Sequence, residues 1–535
     1  MLSKVAAMNL RVPILPLVLI ALVGCGDGAD GPEGPAVLTV DPGEGIGPVR
    51  LGMSKGELFA AVGAPDTVSP FNRLITLQYE TLGLEVILTS SDARTLTEDA
   101  RVRGIGTLPG ALVEGPLVPG QSRAAVETLH GAADIDVRGV LYFVGAGLAA
   151  TVDEAGAVTR FAVWPRFGVL DGPAPMLSAQ TRAKPLPVAT DEETPRFEFQ
   201  GERYEVVDMH LHAGRLSGQV LSGLEYLLAQ LPEPSLLYFP AASGLVIDPY
   251  GEHVGIQAHL RAVGIAHGVL LAAYTQKTIG FTENRLLEAF LDDPRNTSPD
   301  GLPWSWGLAS IDFEGFEAPA VAAARLDALA SYFETRPDVF IGIKLAHAHQ
   351  AVTFDDPLYL GVYDIAARYG VPVLLHTGIT PFPNAKSESE YYDPASLAAV
   401  VEAYDGEHGN GRVDFVLGHA GRGDARAINS SLDLAAENDN VWLEISLINA
   451  VLSIDENGNP VQGTERMHRP ILEQIKARGL IDRTIFASDG PQYFGKIRGY
   501  LSLIVSTMVA VGYTPAEIQM VLADNFYRCF QPPGR

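Results

Sequence analysis

The sequence predicts a (β/α)8 barrel of the α/β class, preceded by a small α+β domain built of two similar repeats. Three observations lead there. Eight short β-rich apolar runs alternate with helical patterns in the C-terminal part of the chain. Titratable side chains close five of those eight runs at the same end. Upstream, four positions recur at one fixed offset.

The chain has 535 residues, more than one compact core of ordinary size accommodates. Pro- and Gly-rich stretches divide it. Residues 1–24 read as a secretory signal and 25–36, "CGDGADGPEGPA", as a tether. Residues 37–170 form the repeat domain, 171–195 a linker and 196–535 the barrel. Hydrophobic residues at 47 % and charged residues at 19 % give the balance of a globular protein. The net charge of −26, from 64 acidic against 38 basic residues, leaves no basic surplus for a phosphate backbone. A nucleic-acid partner is thereby disfavoured, and a small molecule is the expected substrate.

The two cysteines, Cys25 and Cys529, make no disulfide framework. Lys4 and Arg11 precede the apolar run "VPILPLVLIALVGC", which is too short to span a bilayer and fits a secretory signal. Its last four residues, "LVGC", resemble a bacterial lipobox. The resemblance implies cleavage before Cys25 and lipidation of that residue. The expected location is then the bacterial cell envelope, on the periplasmic side of the outer membrane or at the cell surface, with the lipid holding the protein to the membrane.

In the first domain Gly52, Ser54, Gly63 and Asp66 recur as Gly120, Ser122, Gly131 and Asp134, each displaced by 68 positions. Each unit is expected to be one helix laid on a small antiparallel sheet, with Gly and Asp supplying cap and turn chemistry. The pattern resembles small repeats of bacterial envelope lipoproteins and β-lactamase inhibitor proteins. That resemblance implies a binding role toward an envelope protein; the alternative is a scaffold that holds the barrel off the membrane.

The eight runs of the large domain are "YEVVDMH", "AHGVLLAAY", "SWGLASIDF", "VFIGIKLA", "VPVLLHTG", "VDFVLGHA", "NVWLEIS" and "RTIFASDG". Helical stretches such as "VAAARLDALASYFETR", "LYLGVYDIAARYG" and "RPILEQIKARG" separate them, which argues for parallel strands with helical crossovers. A last helix begins at "TPAEIQ", with Thr514 as N-cap, Pro515 at the first helical position and Glu517 completing a capping box. At the strand ends stand His210 and His212, Lys344, His376, His419 and Asp489. Residues two apart on a strand share a side, so His210 and His212 face one volume. Imidazole and carboxylate are donors suited to a divalent metal such as zinc.

The ordered motifs "DMHLHAG", "GIKLA", "VPVLLHTG", "VLGHAG" and "IFASDGP" resemble the amidohydrolase superfamily, and most of all its amidohydrolase 2 branch. The closing "ADNFYRCF" is similar too, and the likeness covers about residues 200–530. It implies one or two divalent ions, with His210, His212, His376 and Asp489 as ligands. It places His419 in the site, either on a second ion or polarising the substrate. Lys344 is either carboxylated and bridging two ions or a counter-charge at the mouth.

The expected reaction is hydrolysis of a C–N or C–O bond at a carbonyl, as in an amide, ester or lactone, by a metal-activated water. Asp489 moves the proton and His419 donates to the developing oxyanion. The alternative is non-oxidative decarboxylation of an aromatic or unsaturated acid, with Arg422 pairing with the substrate carboxylate; the other reading of Arg422 is a loop ion pair with Asp424 or another acid. A third reading is an inactive envelope binding or scaffold lipoprotein. Glu444, at the end of the seventh strand, is read as pocket wall and a substrate contact; Trp304 and Trp306 are read as pocket wall, with core packing as the default. His347 and His349 are read as a solvated loop, with substrate contact as the alternative, and the insert from Gly223 to Leu260 as a lid. Asp208 is expected to orient a ligand imidazole.

Overall fold

A computed structural model of the chain describes residues 37–71, 74–89, 96–98, 100–137, 139–164, 193–214, 253–380, 382, 384–449, 452–454, 460–462, 468–490 and 496–535. The expected signal, Cys25, the tether, most of the 171–195 linker and positions 223–252 of the insert lie outside the described residues. No helix among the described residues is long and apolar enough to cross a membrane.

In the first domain the matched residues take matched places. Ser54 caps the helix Lys55–Val62 and Ser122 caps Arg123–His130. A serine hydroxyl satisfies a backbone N–H that the first helical turn leaves without a partner. Ser54 Oγ accepts from Glu57 N at 3.2 Å, and Ser122 Oγ from Ala125 N at 3.3 Å. Each helix stops at a glycine with positive φ, Gly63 at 79° and Gly131 at 85°, where a side chain would be strained. Asp66 and Asp134 then accept from the backbone N–H of Glu80 and Val144, both at 2.6 Å.

Each helix is followed by four antiparallel strands. The first set is Thr67–Phe71, Leu74–Tyr79, Leu84–Thr89 and Arg101–Thr107; the second is Ile135–Val137, Val140–Phe143, Leu148–Val152 and Val158–Val163. The first strand of each set goes beyond the sequence expectation and forms an edge of the sheet. The last strands of the two sets pair antiparallel, Gly106 with Ala162 and Ile105 with Val163, so all eight make one sheet. Leu58 and Val126, the buried residues of the two helices, join a core with Leu77, Val86 and Phe161.

The second domain begins with a hairpin, Phe197–Phe199 paired with Glu202–Tyr204. Eight parallel strands follow: Val207–Leu211, His267–Leu271, Ser305–Ala309, Phe340–Leu345, Val373–His376, Phe415–Gly418, Val441–Glu444 and Thr484–Ile485. They pair in chain order. A bridge between Leu211 and Gly490, with His212 N donating to Gly490 O at 2.7 Å, joins the last segment back to the first strand. This is a TIM barrel. The crossovers include helices Pro319–Thr335, Pro357–Tyr369, Ala425–Glu437 and His468–Ala477. Thr514 caps the helix that starts at Pro515, with the box to Glu517 closed.

The period of two positions the chemistry. Leu374, Val416, Trp442, Ile485 and Ala487 pack in one apolar cluster with Val207, Met209, Trp306 and Phe526. Two residues beyond members of that cluster come His376, Gly418, Glu444 and Asp489. Strand alternation therefore sets a polar layer over an apolar one. Trp306 is wholly buried against His267 and Phe526, and Trp304 is buried beside Arg261. Both tryptophans are packing residues, not pocket wall.

Candidate metal centre

The first strand delivers His210 and His212 with their rings 5.1 Å apart. Both Nε2 atoms turn to Asp489, His210 at 3.4 Å and His212 at 2.9 Å from the same Oδ1. Asp489 holds a left-handed conformation at φ 53°, an unusual place for a residue with a Cβ, at the point where the eighth strand's segment bends to meet the first strand. His210 is buried, whereas the His212 side chain is 38 % exposed, so the group opens toward solvent on the His212 side.

His419 follows the sixth strand at φ 65°, with Ala420 at φ 46° and Gly421 at φ 74°. A Cβ on Gly421 would stand 2.3 Å from the Ala427 backbone, so only glycine lets this turn press against the next helix. The turn brings His419 Nε2 to 3.2 Å from His376 Nδ1, and the His419 ring to 5.1 Å from that of His210. His376 Nε2 is buried with no hydrogen-bond partner among the described residues. Burial is the largest cause that holds both His376 and His419 well below the usual histidine range. Both are therefore neutral, the form that carries a ligand lone pair.

Among the described residues two groups of donor atoms lie close enough to share one ion: His210, His212 and Asp489, and His210, His419 and Glu444. His376 belongs to neither. It stands one step away, against His419, rather than completing a four-residue set with the first group.

Lys344 and Arg422 are both buried. Lys344 Nζ has no hydrogen-bond partner among the described residues, and burial lowers its pKa to about 8 against the pull of Glu444 and Asp489. The Arg422 charge acts on Lys344, His376 and His419. The Asp424 carboxylate instead caps the helix Ala425–Glu437 and accepts from Tyr392 Oη at 2.8 Å.

Three expectations need correction. Glu444 is fully buried and is no substrate contact. Its carboxylate accepts from His210 Nδ1 at 3.0 Å and from His419 N at 3.2 Å, which is the orienting part expected of Asp208. Asp208 accepts from His210 N at 3.4 Å, so it touches the histidine's backbone rather than its imidazole, and from Ser488 N at 2.9 Å and Ser488 Oγ at 2.5 Å; burial raises its pKa to about 7. His347 and His349 lie not on a solvated loop but in a buried turn, His347–Gln350. His349 is 5.2 Å from the His376 ring and meets Thr278 Oγ1 at 2.8 Å, while His347 packs on Phe354 and Tyr359.

Sequence reasoning missed Ser446 and Thr278 altogether. The "LEIS" run places Ser446 two beyond Glu444, and that spacing was the only available signal.

The donor set fits a divalent ion. Imidazoles and a carboxylate converge, His376 Nε2 is buried beside them without a partner among the described residues, and nitrogen and oxygen ligands of this kind suit zinc.

Among solved structures, an uncharacterized TIM-barrel protein from Bordetella bronchiseptica is 15 % identical over 62 % of this chain and 100 % of its own, at TM-score 0.43. A 5-carboxyvanillate decarboxylase from Sphingomonas paucimobilis is 13 % identical over 61 % of this chain and 99 % of its own, at 0.38. A probable 2-pyrone-4,6-dicarboxylic acid hydrolase from Acinetobacter baumannii is 14 % identical over 61 % and 99 %, at 0.37. No curated protein matches the chain. Residues 316–525, which hold Lys344, His376, His419, Glu444 and Asp489, match the family model described as amidohydrolase.

Proposed function

We propose that the barrel is a metal-dependent hydrolase acting on a C–N or C–O bond at a carbonyl. One observation carries this: the Nε2 atoms of His210 and His212 both face Asp489 Oδ1 at the open end of the barrel. His210, His212 and Asp489 would hold the ion, with His376 and His419 beside it for a second. When bound, a divalent cation acidifies water and polarises a carbonyl. Asp489 then takes a proton and passes it to the leaving group. The positive charges of Lys344 and Arg422 favour an anionic group on the substrate.

Metal content of the purified full chain, measured by mass spectrometry, tests the core of this reading. Between one and two equivalents are expected; less than about half an equivalent in active protein would refute a site with this many ligands. Two equivalents, lost together with carbon dioxide on acidification, would assign Lys344 as a carbamate bridge.

Buried Arg422, beside the histidines, favours a second reading, in which it pairs with a carboxylate and the reaction is decarboxylation. Carbon dioxide release from a panel of carboxylic acids separates that from hydrolysis of esters, amides and lactones. A metal-replete protein inert on both panels would point to a scaffold. We further propose lipidation at Cys25; incorporation of labelled palmitate by the wild type and not by Cys25→Ala is the expected result.

A further inference from the structure

The turn His347–Gln350, after the fourth barrel strand, is tied to the loops around it. Gln350 Nε2 donates to Ile311 O, after the third strand, at 2.9 Å. Ala348 O accepts from Lys386 N, after the fifth, at 2.8 Å. His349 Nδ1 meets Thr278 Oγ1 at 2.8 Å. Thr278 is buried at the turn of a hairpin after the second strand, in which Ala273–Thr275 pairs with Gly280–Thr282. That hairpin is fastened to the end of the first strand, where Thr282 Oγ1 donates to Ala213 O at 2.7 Å, one residue past His212. The rim of the barrel is thus stitched from loop to loop, and His349 is set in it.

The His349 ring stands edge-on to His376, 5.2 Å away at 82°, and 6.0 Å from the Phe382 ring. Burial acts on it first, and then the charges of Lys344, His212, Arg422 and Asp489. It therefore lies among the groups at the barrel mouth. The bond to Thr278 is its one hydrogen bond among the described residues. The two nitrogens of an imidazole point to opposite sides of the ring, so a ring held at Nδ1 by the hairpin turns Nε2 away from it. A histidine that only packs looks different. His267, at the other end of the barrel, spends both nitrogens, Nδ1 on Pro303 O at 2.8 Å and Nε2 on Asp300 at 3.1 Å. His347 packs its ring on Phe354 and Tyr359.

We propose that His349 is a substrate-binding residue whose Nε2 hydrogen-bonds a polar group of the substrate beside the bond that reacts, and that Thr278 is the positioning residue that fixes its ring. The proposal rests on the reading of the barrel as an enzyme, and adds to it a contact from the rim opposite the hairpin's bond.

Two substitutions divide the ring between them. Asparagine reaches only as far as Nδ1, and glutamine as far as Nε2. On whichever substrate panel is active, His349→Asn should raise KM about 10-fold, the loss of one hydrogen bond, with the effect on KM rather than on kcat. His349→Gln should bring KM back to within about 3-fold of the wild type. Thr278→Val removes the hydroxyl, keeps the shape and should raise KM to a smaller extent. An unchanged KM in His349→Asn, or an equal rise in the Asn and Gln variants, overturns the proposal.

A crystal structure of the purified full chain gives a readout without turnover. A water or bound ligand within about 3.2 Å of His349 Nε2, on the side facing His212 and Asp489, is expected. A protein atom bonded to Nε2, or nothing within that distance, overturns the proposal. Should the variants not fold, that structure decides. Should the wild type be inert on both panels, the enzyme reading fails, and the structure still decides whether Nε2 faces the mouth.

Discussion

Asp208, in the first barrel strand, and Ser488, in the segment after the eighth, are joined by two hydrogen bonds, one to the backbone N–H at 2.9 Å and one to the hydroxyl at 2.5 Å. All of these groups are buried. The pair fastens the seam where the barrel closes, one residue before Asp489 must face His210. Asp208→Ala would leave the Ser488 N–H and hydroxyl buried without this acceptor, and each such loss costs about 1–3 kcal/mol. We expect a loss of roughly 2–5 kcal/mol in urea unfolding of the metal-free chain. A loss under about 1 kcal/mol would show that water reaches the seam.

Asp489 serves twice in the proposed mechanism, as a ligand and as the group that moves a proton. Asp489→Asn keeps the shape and removes the charge. Turnover on whichever substrate panel is active should fall about 10²- to 10⁴-fold. Metal content measured alongside separates the two roles. Full metal with lost turnover assigns the proton role, whereas loss of both assigns the ligand role.

Lys344 is a buried ammonium with no hydrogen-bond partner among the described residues. Burial of a charge in this way is costly, and an apolar isostere relieves it. Lys344→Met is expected to raise the unfolding free energy of the metal-free chain by ~1–3 kcal/mol while lowering activity. A destabilised variant would show that Glu444 and Asp489 already compensate the charge.

The strand positions were legible because alternation and apolar runs are local properties. All eight runs became barrel strands, and His210, His212, His376, His419 and Asp489 came to one end because strand ends share a face. The direction of Glu444 was not legible. A carboxylate at a strand end reads as solvent-facing until its partners are known, and here His210 and His419 arrive from other strands. His347 and His349 failed for the same reason: "LAHAH" reads as loop, and only Phe354, Tyr359 and Thr278 bury it. The left-handed conformations of His419 and Asp489 themselves carry no sequence signal, since neither residue is a glycine.

The repeat in the first domain predicts paired energetics. Ser54 and Ser122 hold equivalent caps, but Ser54 also receives the return bond from Glu57 to its own N–H at 2.8 Å. Ser122 has no such bond described at its cap. Ser54→Ala and Ser122→Ala should each cost ~1 kcal/mol, with the Ser54 variant the larger. Thermal unfolding of the first domain in both variants checks the order, and a reversed order would deny the capping box any contribution.

Asp300 supplies a pH-dependent contribution far from the metal ligands in sequence. Its carboxylate meets His267 Nε2 at 3.1 Å, Ser298 Oγ at 2.5 Å and Leu302 N at 3.1 Å. The His267 hydrogen bond is the largest cause that holds its pKa well below the usual range, with burial opposing. The unfolded chain has an ordinary Asp pKa of about 3.9. Above that value both states are ionised and the stabilisation is fully present. As pH falls through it, the unfolded state takes up a proton that the folded state refuses, and the stabilisation is lost. Asp300→Asn should therefore be less stable than the wild type at neutral pH, and the gap should narrow below about pH 4. Urea unfolding of both proteins from pH 3 to pH 7 measures the gap (roughly the span that brackets the unfolded value); a gap that widens on acidification would show that the His267 contact does not hold the carboxylate ionised.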